Sequence, residues 1–356
     1  MKITALIMAG GRGERFWPRS RKKLPKQFLS LTDDDRTMIQ LTVDRILPLV
    51  DMEDIYIATN RDYKPLVREQ LPGIPGENIL CEPVGRNTAP CIGLGATHIS
   101  KKYEDAVMMV LPSDSLIKNA DRYLELAGEA CGIADDGNNL VTMGIRPSYP
   151  ETGYGYIKFR KEERRGSAYK VDRFVEKPSA DKAREYLDSG DYLWNAGMFV
   201  WKVSTILELF KQYLPDMKEG LDRIGEAIGT GAQDETLENI FPGLESISVD
   251  YGIMEKAQSI YTIPGDFGWD DVGSWLAVER IRAVNEENNV VSGNVVTIDT
   301  KDCIIEGSDK LIAAVGLKDT VIVDTEDAIL ICDKNSTADI KKVLASLRDS
   351  GHDEVL

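Results

Sequence analysis

The chain has 356 residues, 42% hydrophobic and 29% charged, with 43 basic against 59 acidic side chains and a formal net charge of −16. Such a composition belongs to a soluble globular protein of one large domain with an appendage, or of two domains; no apolar run approaches the roughly 20 residues of a membrane span, and the acidic balance argues against broad binding to nucleic acid or anionic membrane. Five widely spaced cysteines without a CxxC pair argue against a disulfide framework or a zinc site, and two histidines argue against His-based triads.

Chemistry is therefore left to carboxylates, cations and backbone. No secretory signal precedes the first strand, so a cytoplasmic location is expected. Strand-like runs at 3–8, 55–59, 106–111 and 140–144 alternate with helical spacing at 38–50, 90–102 and 121–134. That alternation predicts an α/β fold with a mostly parallel mixed sheet covered on both faces, whose ligands lie at the carboxyl ends of strands. From Tyr154 come strand-like YIKF and YKVDRFV, a helix at 180–187, an apolar run at 194–201 and a helical region to about 239. Residues 290–332 then switch to short β-branched strands between polar or glycine turns, which predicts a small β-solenoid or sandwich packed on the main domain or on another subunit. The segment 338–347 closes as an amphipathic helix.

The first strand runs into LIMAGGRGERFWPRSRKKLPKQF, where Arg12, Arg15, Arg19, Arg21, Lys22, Lys23 and Lys26 accompany three glycines with one acid, Glu14, among them. A dinucleotide fingerprint needs glycine where Phe16 stands, and a P-loop needs GK[ST] where the chain has GERF. What remains is an anion site: glycines let N–H groups turn toward a phosphate while Arg15 and Lys26 neutralise it. The competing role is a solvated basic connection. Arg19, Arg21, Lys22 and Lys23 are expected to form a mobile, solvated lid that orders over nucleotide.

Asp114 in LPSD follows a strand, and Asp270 and Asp271 sit in GWDDVGSW. Magnesium favours a few carboxylate oxygens plus phosphate oxygens, so carboxylates from two strand ends suit a nucleoside triphosphate. Turn or helix-capping roles are the alternatives for these aspartates. Glu176 and Lys177 in EKP, Asn195 in WNAGMF, and Gly153 and Gly155 in ETGYGYI suit a sugar phosphate, or equally a surface ion pair and a bulged strand.

In order, AGGRGERFWPRSRKKLPKQF, EPVGRNTAP, LPSD, ETGYGYI, FVEKP, WNAGMF, SVDYGIMEK and GWDDVGSW closely resemble the bacterial mannose-1-phosphate guanylyltransferases of the sugar-nucleotidyltransferase superfamily. The resemblance spans residues 1 to about 282, and the β-rich tail also looks like theirs. It implies a Rossmann-like nucleotidyltransferase domain at 1–285, a short left-handed β-helix with a terminal helix at 286–356, and a homodimer. It implies catalytic roles for Arg15, Lys26, Asp114 and Asp271, with Mg2+ on the two aspartates. Nucleotide contacts fall on Leu6, Ala9, Gly10, Gly11, Gly13, Glu82, Asn87 and Thr88; the sugar-phosphate side falls on Gly153, Glu176, Lys177 and Asn195.

The implied reaction is transfer of GMP from GTP to mannose 1-phosphate, releasing pyrophosphate and giving GDP-mannose. Guanine offers N1–H and N2–H donors that adenine lacks, so the Glu82 carboxylate is the expected base discriminator. A nucleotidyltransferase for another hexose 1-phosphate or nucleotide, or a non-catalytic nucleotide-sugar sensor, are the alternatives. The family usually has His after LPSD, where this chain has Ser115; metal binding is expected to survive and loop packing to change. Longer bifunctional relatives carry an isomerase domain after the β-helix, and isomerase activity is not expected for a chain ending at Leu356.

Overall fold

The computed structural model describes Met1–Gly11 and Gly13–Leu356; Arg12, one of the seven cations named above, lies outside the described residues. Two compact units emerge. The first comprises Met1–Gly10, Val43–Ser113 and Ile117–Trp269, and the second Gly11–Thr42, Asp114–Leu116 and Asp270–Leu356.

The strands up to residue 270 are β1 (Ile3–Ala9), β2 (Ile55–Asn60), β3 (Ile79–Glu82), β4 (Val107–Pro112), β5 (Leu116–Ile117), β6 (Leu140–Ile145), β7 (Tyr156–Arg165), β8 (Ala168–Val175), β9 (Tyr192–Lys202), β10 (Ile260–Gly265) and β11 (Trp269–Asp270). Nine of them form one sheet in the order β3-β2-β1-β4-β9-β6-β10-β8-β7. β1 lies parallel to both β2 and β4, pairing Ile7 with Ile57 and with Leu111. Its residues Ala5, Leu6 and Ile7 are fully buried, as a central parallel strand covered on both faces requires. β9 runs antiparallel to β4 and β6, and β7 and β8 form an antiparallel hairpin, so the sheet is mixed. Helix Thr88–Lys102 packs closely on its neighbours: a Cβ at Gly93 would fall 3.3 Å from the Phe210 ring and inside Leu221.

In the second unit, β12 (Val290–Ser292), β13 (Val295–Ile298), β14 (Ile304–Glu306), β15 (Ile312–Val315), β16 (Thr320–Asp324) and β17 (Ile329–Asp333) build the β-helix-like region. β12, β14 and β16 stack in parallel, Val290 on Ile304 on Val321, and β13 stacks in parallel on β15. All three stacked side chains are buried, so each rung covers the aliphatic face of the next. The solenoid form of the expected appendage is thus the one adopted. Asn288, Asp299, Asp302 and Asp319 have positive φ, and these are residue types that tolerate the left-handed region.

Phe16, which replaces the glycine of a dinucleotide fingerprint, is fully buried in this unit's core with Trp275, ring centroids 5.2 Å apart. The cations after it depart from the solvated-lid expectation. Arg21 donates to Asp327 at 2.6 Å, to Thr325 at 3.2 Å and to the Val355 carbonyl. Arg19 faces Glu306 at 3.7 Å and Lys22 faces Asp353 at 3.2 Å, while the Trp17 indole donates to Val355 O at 2.7 Å. Strand ends and the terminal segment supply carbonyls and acids to which this basic stretch docks. Lys23 is exposed.

Candidate active site

In the second unit the site is built around Lys26. Its side chain is 6% exposed, and Nζ donates to Asp114 Oδ2 at 3.0 Å and to the Asp271 carbonyl at 2.8 Å. One lysine therefore gathers both expected metal-binding aspartates. Gly13 makes this possible: its φ is 60°, and a Cβ there would run into the Cβ of Lys26 and lie 2.9 Å from its amide nitrogen. Gly11 meets nothing within 4 Å, so the three glycines are not equivalent. Arg15 is exposed and its Nη1 reaches the Gly273 carbonyl at 3.4 Å.

The adjacent acids of GWDDVGSW separate. Asp270 is held by Arg280 through two bonds of 2.6 and 2.9 Å, and it accepts from Val272 N at 2.8 Å. Asp271 keeps 29% of its side chain exposed, with Arg280 at 3.9 Å. Between Asp271 and Gly273 stands Val272, fully buried at a φ of 46°. Positive φ strains a β-branched residue, a cost of about 1–3 kcal/mol that surrounding structure must offset. The N-cap of the following helical turn is Ser274, whose side chain makes no cap bond to a described residue, while Asp270 closes a turn onto Val272 N.

Asp114 and Asp271 offer hard oxygens with exposed edges, 41% and 29%, which fits Mg2+ completing its shell with phosphate oxygens and water. Among the described residues no group of three or more His, Cys, Asp or Glu is arranged to hold a metal. Ser115, in place of the family histidine, is buried.

In the first unit, Glu82 ends β3 and is 6% exposed. Among the described residues its Oε1 has no hydrogen-bond partner, the Cys91 thiol bonds the carboxylate, and Oε2 lies 3.6 Å from where a Cβ of Gly10 would stand. Burial pushes this carboxyl up to about 7. Asn87, at φ 68°, caps helix Thr88–Lys102, and the Thr88 hydroxyl accepts from Val249 N at 2.9 Å. Leu6 is fully buried mid-strand under Gly95. The Ala9 carbonyl accepts from Thr59 Oγ1 at 2.9 Å.

The sugar-side residues of the first unit converge through register. Tyr156 pairs with Val175 and with Trp194, which brings Gly155, Glu176 and Asn195 to one end of three strands. Asn195 N donates to Gly155 O at 2.8 Å, and a Cβ at Gly155 would lie 2.5 Å from Glu176 Oε2. Lys177 has a φ of 42° and pairs with Glu176 at 2.9 Å. Gly153 N donates to Glu151 at 2.7 Å. Among the described positive-φ residues other than Gly, Asn and Asp, Lys177 and Val272 each adjoin a candidate carboxylate. Absent from the expected set is Asp250, whose Oδ1 accepts from Asn195 Nδ2 at 2.8 Å. Its motif, SVDYGIMEK, was visible in the sequence, but nothing local to it marks the contact.

Comparison with known proteins gives a concordant result. The nucleotidyl transferase family model matches residues 4–288, and the model of the MannoseP isomerase/GMP-like beta-helix domain matches 293–347. The mannose-1-phosphate guanylyltransferase of Escherichia coli (strain K12) is 39% identical over 363 residues, covering 99% of this chain and 75% of that protein. That of Klebsiella pneumoniae is 38% identical over 357 residues, covering 99% and 75%. A crystal structure described as mannose-1-phosphate geranyltransferase from Thermus thermophilus is 37% identical at a TM-score of 0.88, covering 98% of this chain and 100% of that one.

Proposed function

The chain belongs to the nucleotidyl transferase family, among its mannose-1-phosphate guanylyltransferases, and we propose that it transfers GMP from GTP to α-D-mannose 1-phosphate with Mg2+. A phosphate oxygen of the sugar phosphate attacks the α-phosphorus of GTP in line. The bond from that phosphorus to the bridging oxygen breaks, pyrophosphate leaves with the electron pair, and GDP-mannose is formed. No covalent enzyme intermediate is required.

The observation that carries this proposal is the placement of Lys26, nearly buried between the Asp114 carboxylate and the Asp271 carbonyl. Two polyanions must meet, and such a barrier falls through positioning and charge neutralisation. Lys26 and Arg15 place positive charge on the triphosphate, with Gly13 leaving the room Lys26 needs. Asp114 and Asp271 would hold Mg2+, which when bound neutralises phosphate charge. Glu82 reads guanine: N1–H and N2–H would satisfy a buried carboxylate that has an unpartnered oxygen. Glu176 and Asn195 meet sugar hydroxyls, and Lys177, 64% exposed, meets the sugar phosphate. We place the enzyme in the cytoplasm, and as a homodimer, which the family resemblance implies.

Pyrophosphate release measured across GTP, ATP, UTP and dTTP, with mannose 1-phosphate or glucose 1-phosphate, tests the proposal. Turnover confined to GTP and mannose 1-phosphate is expected. Preference for another pair would redirect it to a different sugar nucleotide, and binding without release would make the protein a sensor.

A further inference from the structure

Asp250 opens Asp250–Met254, a π-helical turn, and such turns recur at functional sites. Three groups fix its surroundings. Asn195 donates to it at 2.8 Å through Nδ2, while Asn195 Oδ1 accepts from Gly197 N at 3.0 Å. Both ends of that amide are therefore committed, and rotating it by 180° would set an N–H against Gly197 N–H and an oxygen against the carboxylate. From behind, the preceding residues are pinned by the EPVGRNTAP segment: Val249 N donates to Thr88 Oγ1 at 2.9 Å, and Ala89 N to Ile247 O at 3.1 Å. Glu176, whose Oε2 stands beside Gly155 with Asn195 Cβ, completes the cluster.

We propose that Asp250 is a positioning residue for the sugar phosphate: it holds the Asn195 amide in one orientation, so that the second Nδ2 hydrogen and the free Oδ1 lone pair meet ring hydroxyls of a hexose 1-phosphate. This rests on the transferase proposal above for the identity of the ligand. A neutral partner could also accept from Nδ2, but a carboxylate makes the bond charge-assisted and offers no donor with which a flipped amide could be satisfied. Burial first, then the charge of Glu176, push the Asp250 carboxyl up to about 6. The other ionisable groups bearing on it are Glu255, which favours the proton further, and the Lys177 ammonium, itself paired with Glu176. The arrangement thus loses its charge just below neutrality.

Steady-state kinetics of Asp250→Asn test this. An amide at 250 removes the charge from the bond and leaves the orientation of Asn195 to the Gly197 N–H alone, so KM for mannose 1-phosphate is expected to rise about 10-fold or more, the loss of one charge-assisted hydrogen bond, with KM for GTP unchanged and the melting temperature no lower. The sugar phosphate itself titrates in this range, so the informative quantity is the ratio of variant to wild-type KM. It is expected to fall toward one below about pH 6, where the wild-type carboxyl is protonated. A ratio independent of pH, or an equal change in KM for GTP, overturns the proposal. If Asp250→Asn melts early, Asn195→Ala carries the test: Asp250→Ala added to it is expected to change KM no further, and an additive second loss refutes the proposal. Wild-type protein inert toward mannose 1-phosphate would instead defeat the transferase proposal, a separate outcome.

Discussion

Lys26 with its aspartates and the Glu82 and Asp250 carboxyls use the same chemical groups in opposite ways. Asp114 has a cation at 3.0 Å and an exposed edge, so its environment already contains the charge that a carboxylate needs. Glu82 has a thiol, an oxygen that no described residue partners and almost no exposure; Asp250 has the Asn195 amide, its own backbone N–H and another acid nearby. Among the described residues no ion pair joins either one to a cation. The first arrangement is held by contacts within the protein, Lys26 to the Asp114 carboxylate and to the Asp271 carbonyl. The second leaves Glu82 with an oxygen that no described residue partners, which on the proposed function a base with matching donors would relieve and one without them would not.

The largest effect should come from dismantling the charged centre. Lys26→Ala and Asp271→Asn are each expected to lower pyrophosphate release by on the order of 10² to 10³, with far-ultraviolet circular dichroism unchanged. Asp270→Asn breaks the Arg280 clamp one residue away and should reduce melting temperature more than it reduces rate. Equal rate losses at 270 and 271 would erase the distinction between them. Gly13→Ala, which forces Lys26 to shift, should mimic Lys26→Ala in rate, as read by the same assay.

Smaller but more selective effects are expected at Glu82. Glu82→Gln should reduce the ratio of kcat/KM for GTP over ATP by about 10-fold or more, and an unchanged ratio would remove Glu82 from base recognition. The wild-type carboxyl must be ionised to accept both guanine donors, so KM for GTP should rise as pH falls through 7 and should not do so in the variant. Stability has the opposite sign. The folded pKa stands above the usual 4.5, so wild type bears the cost of an ionised buried acid in full above pH 7 and not at all below about 4.5. Calorimetry should therefore find Glu82→Gln gaining melting temperature over wild type at pH 8 and little at pH 5. The smallest effect belongs to Lys22→Ala, an exposed pair with Asp353 worth less than about 1 kcal/mol.

Residues whose roles are set by local chemistry could be found in the sequence: the alternating strands and helices, the cations of the glycine loop, and carboxylates just after strands. Asp250 could not, because it is a site residue only through the register that places Asn195 beside it, across 55 residues of chain. Nor could Gly13 be separated from Gly10 and Gly11, since the distinction lies in the approach of Lys26. The docking of Arg21 on Asp327 escaped for the same reason: a basic run looks solvated until its partners, 306 residues onward, are folded against it.

That last feature has a bearing on how the molecule is made. Trp17 and Val355 are joined across 338 positions and Lys22 and Asp353 across 331, separations that slow folding because ordering so long an intervening chain precedes any reward from the contact. Synthesis runs from the N-terminus, and regions ordinarily settle as they emerge. Here the stretch bearing Arg21 and Lys22 leaves the ribosome more than 300 residues ahead of its partners Asp327 and Asp353. The contacts of Arg21 with Asp327 and of Lys22 with Asp353 therefore cannot form until the strands between them have been made, and β1 to β4 can pair well before that.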